Sequence, residues 1–195
     1  MYNSGAVIIA AGLSSRMGCF KPLLKFGTST IIETIIQTLQ DAHVDEIVII
    51  TGHCAEHLEK YLAEYPIKCI RNPYYKTSEM FDSALLGFQE LYGKCRKVLF
   101  SPADIPAYQL QTVQILLDTD VPLACPTYQM KKGHPLMMSS YILKQLLNDS
   151  GTGGIKGALS RTGIPMTYIP VDDPGILFDA DTYDEYQTIR NLFQA

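Results

Sequence analysis

The chain has 195 residues, 47% of them apolar and 18% charged, with a formal net charge of −4. That balance describes a globular chain with a core of its own, and it excludes a disordered polymer, a basic nucleic-acid binder and a cationic membrane-surface protein. No apolar run reaches the roughly 18 residues of a membrane span. Met1–Gly5 carries neither the charge nor the apolar stretch of a secretory leader, so a cytoplasmic location is expected.

The five cysteines (Cys19, Cys54, Cys69, Cys95, Cys125) are scattered, without a C-x-x-C pair, and read as reduced thiols. No repeat, linker or low-complexity tract interrupts the chain, so one domain over residues 1–195 is expected.

Ala6-Val7-Ile8-Ile9-Ala10 is a short, continuous apolar run, the pattern of a strand buried on both faces. It gives way to Gly12, Ser14, Ser15 and Gly18, with Arg16 and Lys21 as the charges. Such a loop offers approachable backbone N–H groups, hydroxyls and two cations, which suits a polyphosphate; a plain strand-to-helix connection is the other reading. A P-loop would need Gly-Lys-Ser/Thr, whereas Gly18 precedes Cys19-Phe20-Lys21. A dinucleotide fold would close its second strand on a carboxylate, whereas Ile47–Ile50 ends at Thr51-Gly52.

Phe26–Ser29 turns the chain, and Thr30-x-x-Glu33 is a capping box opening a helix with Ile31, Ile32, Ile35, Ile36 and Leu39 on its apolar stripe. A strand over Glu46–Thr51 follows, then a helix from Cys54 to Tyr65 and a short strand over Ile67–Ile70. The polar segment Arg71–Ser78 leads to a helix over Phe81–Tyr92 and a strand over Lys97–Phe100. This alternation predicts an α/β fold, a mainly parallel sheet with helices on both faces, whose ligands bind at the carboxyl ends of the strands. His53-Cys54-Ala55-Glu56-His57 has the H-x-x-E-H zinc spacing with both histidines on one helical face; a surface helix is the expected reading.

Asp104, between Pro102 and Pro106, either caps the following helix (Tyr108–Asp118) or offers a hard carboxylate to Mg²⁺. The later pattern predicts strands over Leu123–Pro126, Pro135–Met138 and Met166–Pro170. It also predicts helices over Tyr141–Asn148, Ile155–Ser160 and Tyr183–Phe193. Between them, Tyr128–His134 is a polar hairpin-like loop in which His134, with Lys131 and Lys132, marks a solvated turn or an anionic-substrate site. Asp149–Gly154 is a glycine-rich loop, and Thr182-x-x-Glu185 caps the last helix. Asp179 and Asp181, spaced by two, share one side if that segment is extended.

From Ala10 to Lys21 the pattern A-A-G-x-S-S-R-M-G-x-x-K resembles the signature loop of the MobA-like nucleotidyltransferases, which include molybdenum cofactor cytidylyltransferases and guanylyltransferases. The likeness continues through Asn72-Pro73 leading to Ser83, Ala103-Asp104-Ile105-Pro106, Gly133-His134-Pro135 and Asp179-Ala180-Asp181-Thr182, with Tyr183 where the family has proline. The resemblance implies a Rossmann-like three-layer fold, a nucleoside triphosphate and Mg²⁺, and transfer of a nucleotidyl group to an acceptor phosphate with release of pyrophosphate. It implies that Ala10, Ala11, Gly12, Leu13, Ser14, Ser15, Arg16, Lys21 and Ser83 bind the nucleotide. Arg16, Lys21 and Asp104 would serve the chemical step, Asp104 with Asp179 and Asp181 the metal, and His134 and Asp149 the acceptor.

The A-A-G opening resembles the cytidylyltransferase form, which implies CTP and a molybdopterin acceptor, with a transient contact to a molybdoenzyme or its chaperone and no nucleic-acid or membrane partner. Two positions depart from the family: Asp82 stands where a serine is usual, and Asp149-Ser150-Gly151-Thr152-Gly153 lacks the arginine of D-x-G-x-R. Both bear on the acceptor, so a sugar- or polyol-phosphate nucleotidyltransferase and a non-catalytic nucleotide sensor stand as alternatives.

Overall fold

The computed structural model describes residues 2–13, 20–149, 152–180 and 182–193. In chain order the strands are β1 (Tyr2–Ala10), β2 (Lys25–Phe26), β3 (Ser29–Thr30), β4 (Glu46–Thr51), β5 (Lys68–Arg71), β6 (Cys95–Pro102), β7 (Leu123–Tyr128), β8 (Lys131–Lys132), β9 (Leu136–Ser139) and β10 (Thr167–Pro170). The helices are α1 (Ile31–Asp41), α2 (Ala55–Tyr61), α3 (Met80–Leu91), α4 (Leu110–Asp118), α5 (Ser140–Leu147), α6 (Gly154–Arg161) and α7 (Tyr183–Phe193), with 3₁₀ turns at Lys21–Leu23 and Pro174–Leu177.

The main sheet runs β10-β7-β9-β6-β1-β4-β5, with β8 paired to β7. β1 lies parallel to both β4 and β6, and β5 parallel to β4. Only β9 and the short β8 run against their neighbours, so the sheet is mainly parallel, as the alternation of elements predicts. β1 is buried on both faces because its side chains alternate between two cores. Ala6, Ile8 and Ala10 join the stripe of α1 together with α4 and α7. Val7 and Ile9, with Ala11 just past the strand's end, join α3, α5 and α6 on the other side.

The α1 stripe is fully inside: Ile31, Ile32, Ile35 and Ile36 have no exposed surface, each worth about 2 kcal/mol on burial. Its capping box is formed, Glu33 N donating to Thr30 Oγ1 (3.3 Å) and Thr30 N to Glu33 Oε2 (2.7 Å). On the opposite face α3 presses directly on β1. A Cβ at Gly87 would stand 2.5 Å from Val7 Cγ1, so only glycine lets the two backbones approach this closely.

α2 departs from its expected span. Cys54 has φ 52°, a left-handed conformation that cannot continue a helix, so α2 begins at Ala55 and ends at Tyr61. His53 therefore lies ahead of the helix, and the two histidines of the H-x-x-E-H pattern do not share a helical face. The turn after Phe26 proves to be a two-stranded hairpin, β2 pairing with β3. In the predicted hairpin-like loop, Gln129 and Met130 both take positive φ, the mirror-image turn that a tight hairpin demands, and β8 returns antiparallel to β7.

Candidate functional site

β1 is followed by β4 and β5 on one side, and the chain then crosses to place β6 on the other. This reversal of strand order opens a crevice beyond the carboxyl ends of β1 and β6. A cleft of about 460 Å³ lies there. Ile9, Ala10, Gly12 and Leu13 line it from β1, and Pro102, Ala103, Asp104 and Ile105 from β6. The two walls are locked together, since Ile9 pairs with Pro102 and Ala103 N donates to Ile9 O at 3.0 Å. Lys21 and Pro22 close one side from their 3₁₀ turn, Met80 enters from the start of α3, and His134 and Asp179 complete the rim.

Lys21 is 7% exposed, and its Nζ stands 3.6 Å from Asp104 Oδ2. A sequestered ammonium beside a carboxylate satisfies the requirement that buried charge be matched, while both groups still face the cleft. Capping of α4, the other duty conceivable for Asp104, is performed from elsewhere. Asp173, 1% exposed, accepts from Gln109 N (2.8 Å) and Thr112 Oγ1 (2.6 Å) with one oxygen and from Gly175 N (2.9 Å) with the other.

A side bay of about 180 Å³ continues the cleft past Gly12 and Met80 and adds Ala11, Tyr75, Ser78, Glu79 and Ser83. Buried Asn72 organises it, donating to both Ser78 Oγ and Ser83 Oγ at 2.9 Å while its carbonyl oxygen takes Tyr74 N. Ser83 lines the bay while its hydroxyl accepts from Asn72. Met80, 54% exposed, borders both spaces. Neither it nor Ser78 stands among the candidate residues read from sequence; the available signal was an apolar side chain at the first turn of α3, off its buried stripe.

His134 reaches the cleft because its backbone N–H donates to Ile176 O at 3.0 Å, just before β9 begins. Its ring packs against Phe100, and burial pushes its pKa down to about 4, a backbone hydrogen bond at Phe100 offsetting part of the shift. The imidazole is neutral near pH 7 and brings no positive charge to an anionic substrate. Asp149 is not among the residues lining the cleft; Arg161 grips it in a two-pronged pair, Nε to Oδ2 at 2.7 Å and Nη2 to Oδ1 at 2.5 Å. The D-x-G-x-R aspartate thus does have a guanidinium partner, supplied from the end of α6. Ser14, Ser15, Arg16 and Asp181 lie outside the described residues.

Residues 6–165 match the MobA-like NTP transferase domain. The chain belongs to this family. As a MobA-like NTP transferase it is a nucleotidyltransferase, for which the family implies a nucleoside triphosphate substrate and a phosphate-bearing acceptor. It is 25% identical over 190 residues to the molybdenum cofactor cytidylyltransferase of Escherichia coli (strain K12), covering 96% of this chain and 95% of that one. Its fold superposes on a nucleotidyl transferase from Methanothermobacter thermautotroptrophicus with a TM-score of 0.85, at 25% identity over 98% of this chain and 97% of that one. It also superposes on Rv0371C of Mycobacterium tuberculosis H37Rv, solved in complex with manganese, with a TM-score of 0.82 at 18% identity over 97% and 98% of the two chains.

The donor chemistry of this MobA-like cleft fits a hard divalent cation. Asp104 and Asp179 both line it, and carboxylate oxygens suit Mg²⁺ or Mn²⁺ rather than a soft metal. Among the described residues no third acidic, histidine or cysteine side chain completes a cage. Mg²⁺ is commonly held in just this way, by one or two carboxylates with the rest of its shell left to phosphate oxygens and water.

Proposed function

We propose that the chain transfers a cytidylyl group from CTP to the phosphate of a molybdopterin-type cofactor and releases pyrophosphate. One observation carries the reading: Gly12, Lys21, Asp104 and Asp179 line a single cleft at the strand-order reversal of the sheet. The A-A-G opening and the full-length similarity to a molybdenum cofactor cytidylyltransferase favour the base and the acceptor.

In this reading the triphosphate lies over the loop that begins at Gly12, its oxygens met by backbone N–H groups from Gly12 to Arg16. Lys21 and Arg16 neutralise charge that builds on the α-phosphoryl group and the departing pyrophosphate. The base enters the bay beside Ser78 and Ser83. Asp104, with Asp179 or Asp181, would hold Mg²⁺, which when bound screens the phosphate charges from one another. An acceptor phosphate monoester has a second pKa of roughly 6 and is already ionised, so neutral His134 serves as wall and orienter, not as base. Positioning and electrostatics supply the acceleration.

Pyrophosphate release from CTP with the molybdenum cofactor as acceptor tests this. Asp104→Asn should abolish release with the fold intact by circular dichroism. Lys21→Ala should slow it on the order of 10²-fold, the usual cost of losing one preorganised charge-stabilising group. Wild-type turnover in either variant sinks the assignment.

A further inference from the structure

We infer that α7 is a brace that sets where Lys21 stands relative to Asp104 and Asp179, with the Tyr186 hydroxyl as its positioning group; this rests on the reading of the cleft given above. The contacts close a ring. Ala180 N donates to Asp104 O at 2.9 Å, which ties the segment carrying Asp179 to the loop after β6. Two residues on, Thr182 opens α7, its backbone N–H and hydroxyl both donating to Glu185 at 2.8 Å. From the second turn of that helix the Tyr186 hydroxyl donates to Lys25 O at 2.5 Å, 161 residues away in sequence. Lys25 begins β2, directly after the turn of Lys21, where Leu24 N donates to Lys21 O at 3.0 Å. Lys21 Nζ then returns to Asp104.

Within the described residues of α7, only Tyr186 and Ile189 are buried, at 4% and 1% exposure. The Thr188 hydroxyl bonds Asp184 O inside the helix. Apolar packing by two side chains fixes that the helix docks but is tolerant of small slides; a hydroxyl seated on one backbone carbonyl is directional and selects one position. The carbonyl chosen belongs to the strand that continues from the turn carrying Lys21.

Tyr186→Phe keeps the ring that fills the core and removes only the hydroxyl. With the brace loosened, Lys21 drifts from Asp104. Mn²⁺ alone, followed by electron paramagnetic resonance in the full chain, should then bind threefold or more tighter, because the competing ammonium has withdrawn. CTP with Mg²⁺, followed by calorimetry, should bind threefold or more weaker, because one of the cations that meet the triphosphate has moved away. Ile189→Val, which trims packing alone, should move neither constant threefold while lowering Tm. A purely structural tyrosine gives the Ile189→Val pattern, and that result, shifts of both constants in one direction, or either constant within threefold of wild type overturns the inference. Wild-type protein that binds neither probe overturns the reading of the cleft instead.

Discussion

His134 shows how one side chain's surroundings decide its chemistry. In an exposed loop just after Lys131 and Lys132 it would titrate near neutrality, but its backbone is anchored at Ile176, its ring packs against Phe100, and burial holds its pKa down to about 4. Because the folded-state value lies below the unfolded value of roughly 6.5, the unfolded chain binds the extra proton first. The stability associated with neutral His134 is complete above about pH 6.5 and is lost progressively as pH falls toward 4, about 3 kcal/mol in all. Tm measured across that window should fall more steeply for wild type than for His134→Gln. The lowered carboxyls of Glu33, Glu59 and Glu90 act below their ordinary value of 4.5 and leave the upper part of the window to the histidine.

At the level of elements, the helices divide by how they are capped. α1 and α7 carry their own capping boxes at Thr30/Glu33 and Thr182/Glu185, which is why both starts were readable in the chain. α4 has no local cap, and its Gln109 side chain makes none. Asp173 reaches back 64 residues to supply it and pins the Pro174–Leu177 turn with its other oxygen. Asp173→Ala leaves a helix terminus, a buried hydroxyl and a backbone N–H without their acceptor, and should cost about 2–4 kcal/mol by urea unfolding. A loss under 1 kcal/mol would mean that water replaces the carboxylate without penalty. Such long-range caps leave no local mark, so α4 and the residues flanking Asp104 invited the capping alternative that the structure removes.

Across the whole molecule, the reversal of strand order is what makes a site. Two helices pass over one face on the way to β5, α3 passes over the other on the way to β6, and the chain leaving β1 at Gly12-Leu13 shares one cleft with the segment after β6. A ligand bridging those loops stabilises the native state by mass action: at 100 times its dissociation constant the gain is about 2.7 kcal/mol. For a chain of this size that raises Tm by roughly 5–10 °C. With Mg²⁺ present, CTP should give the largest rise among CTP, GTP, ATP and UTP; a larger rise with GTP would reassign the base.

The alternation of strands and helices was legible from residue pattern because it reflects local periodicity, and β4 and α7 fall on the expected bounds. Gly12, Lys21 and Asp104 could be picked out of the chain as candidates by residue type and order, and the structure brings these three to one cleft. The start of α2 was not legible, since the left-handed backbone at Cys54 is imposed by its setting and leaves no trace in residue type. Nor could the pattern say that Asp149 faces Arg161, that Asp173 caps α4 or that Tyr186 seats on Lys25, because each pairing spans 12 to 161 residues and depends on where whole elements dock. Spacing along the chain determines periodicity, turn chemistry and the inventory of functional groups. Which of those groups meet was decided by the packing of helices on two faces of one sheet, a distance in space that sequence separation does not encode.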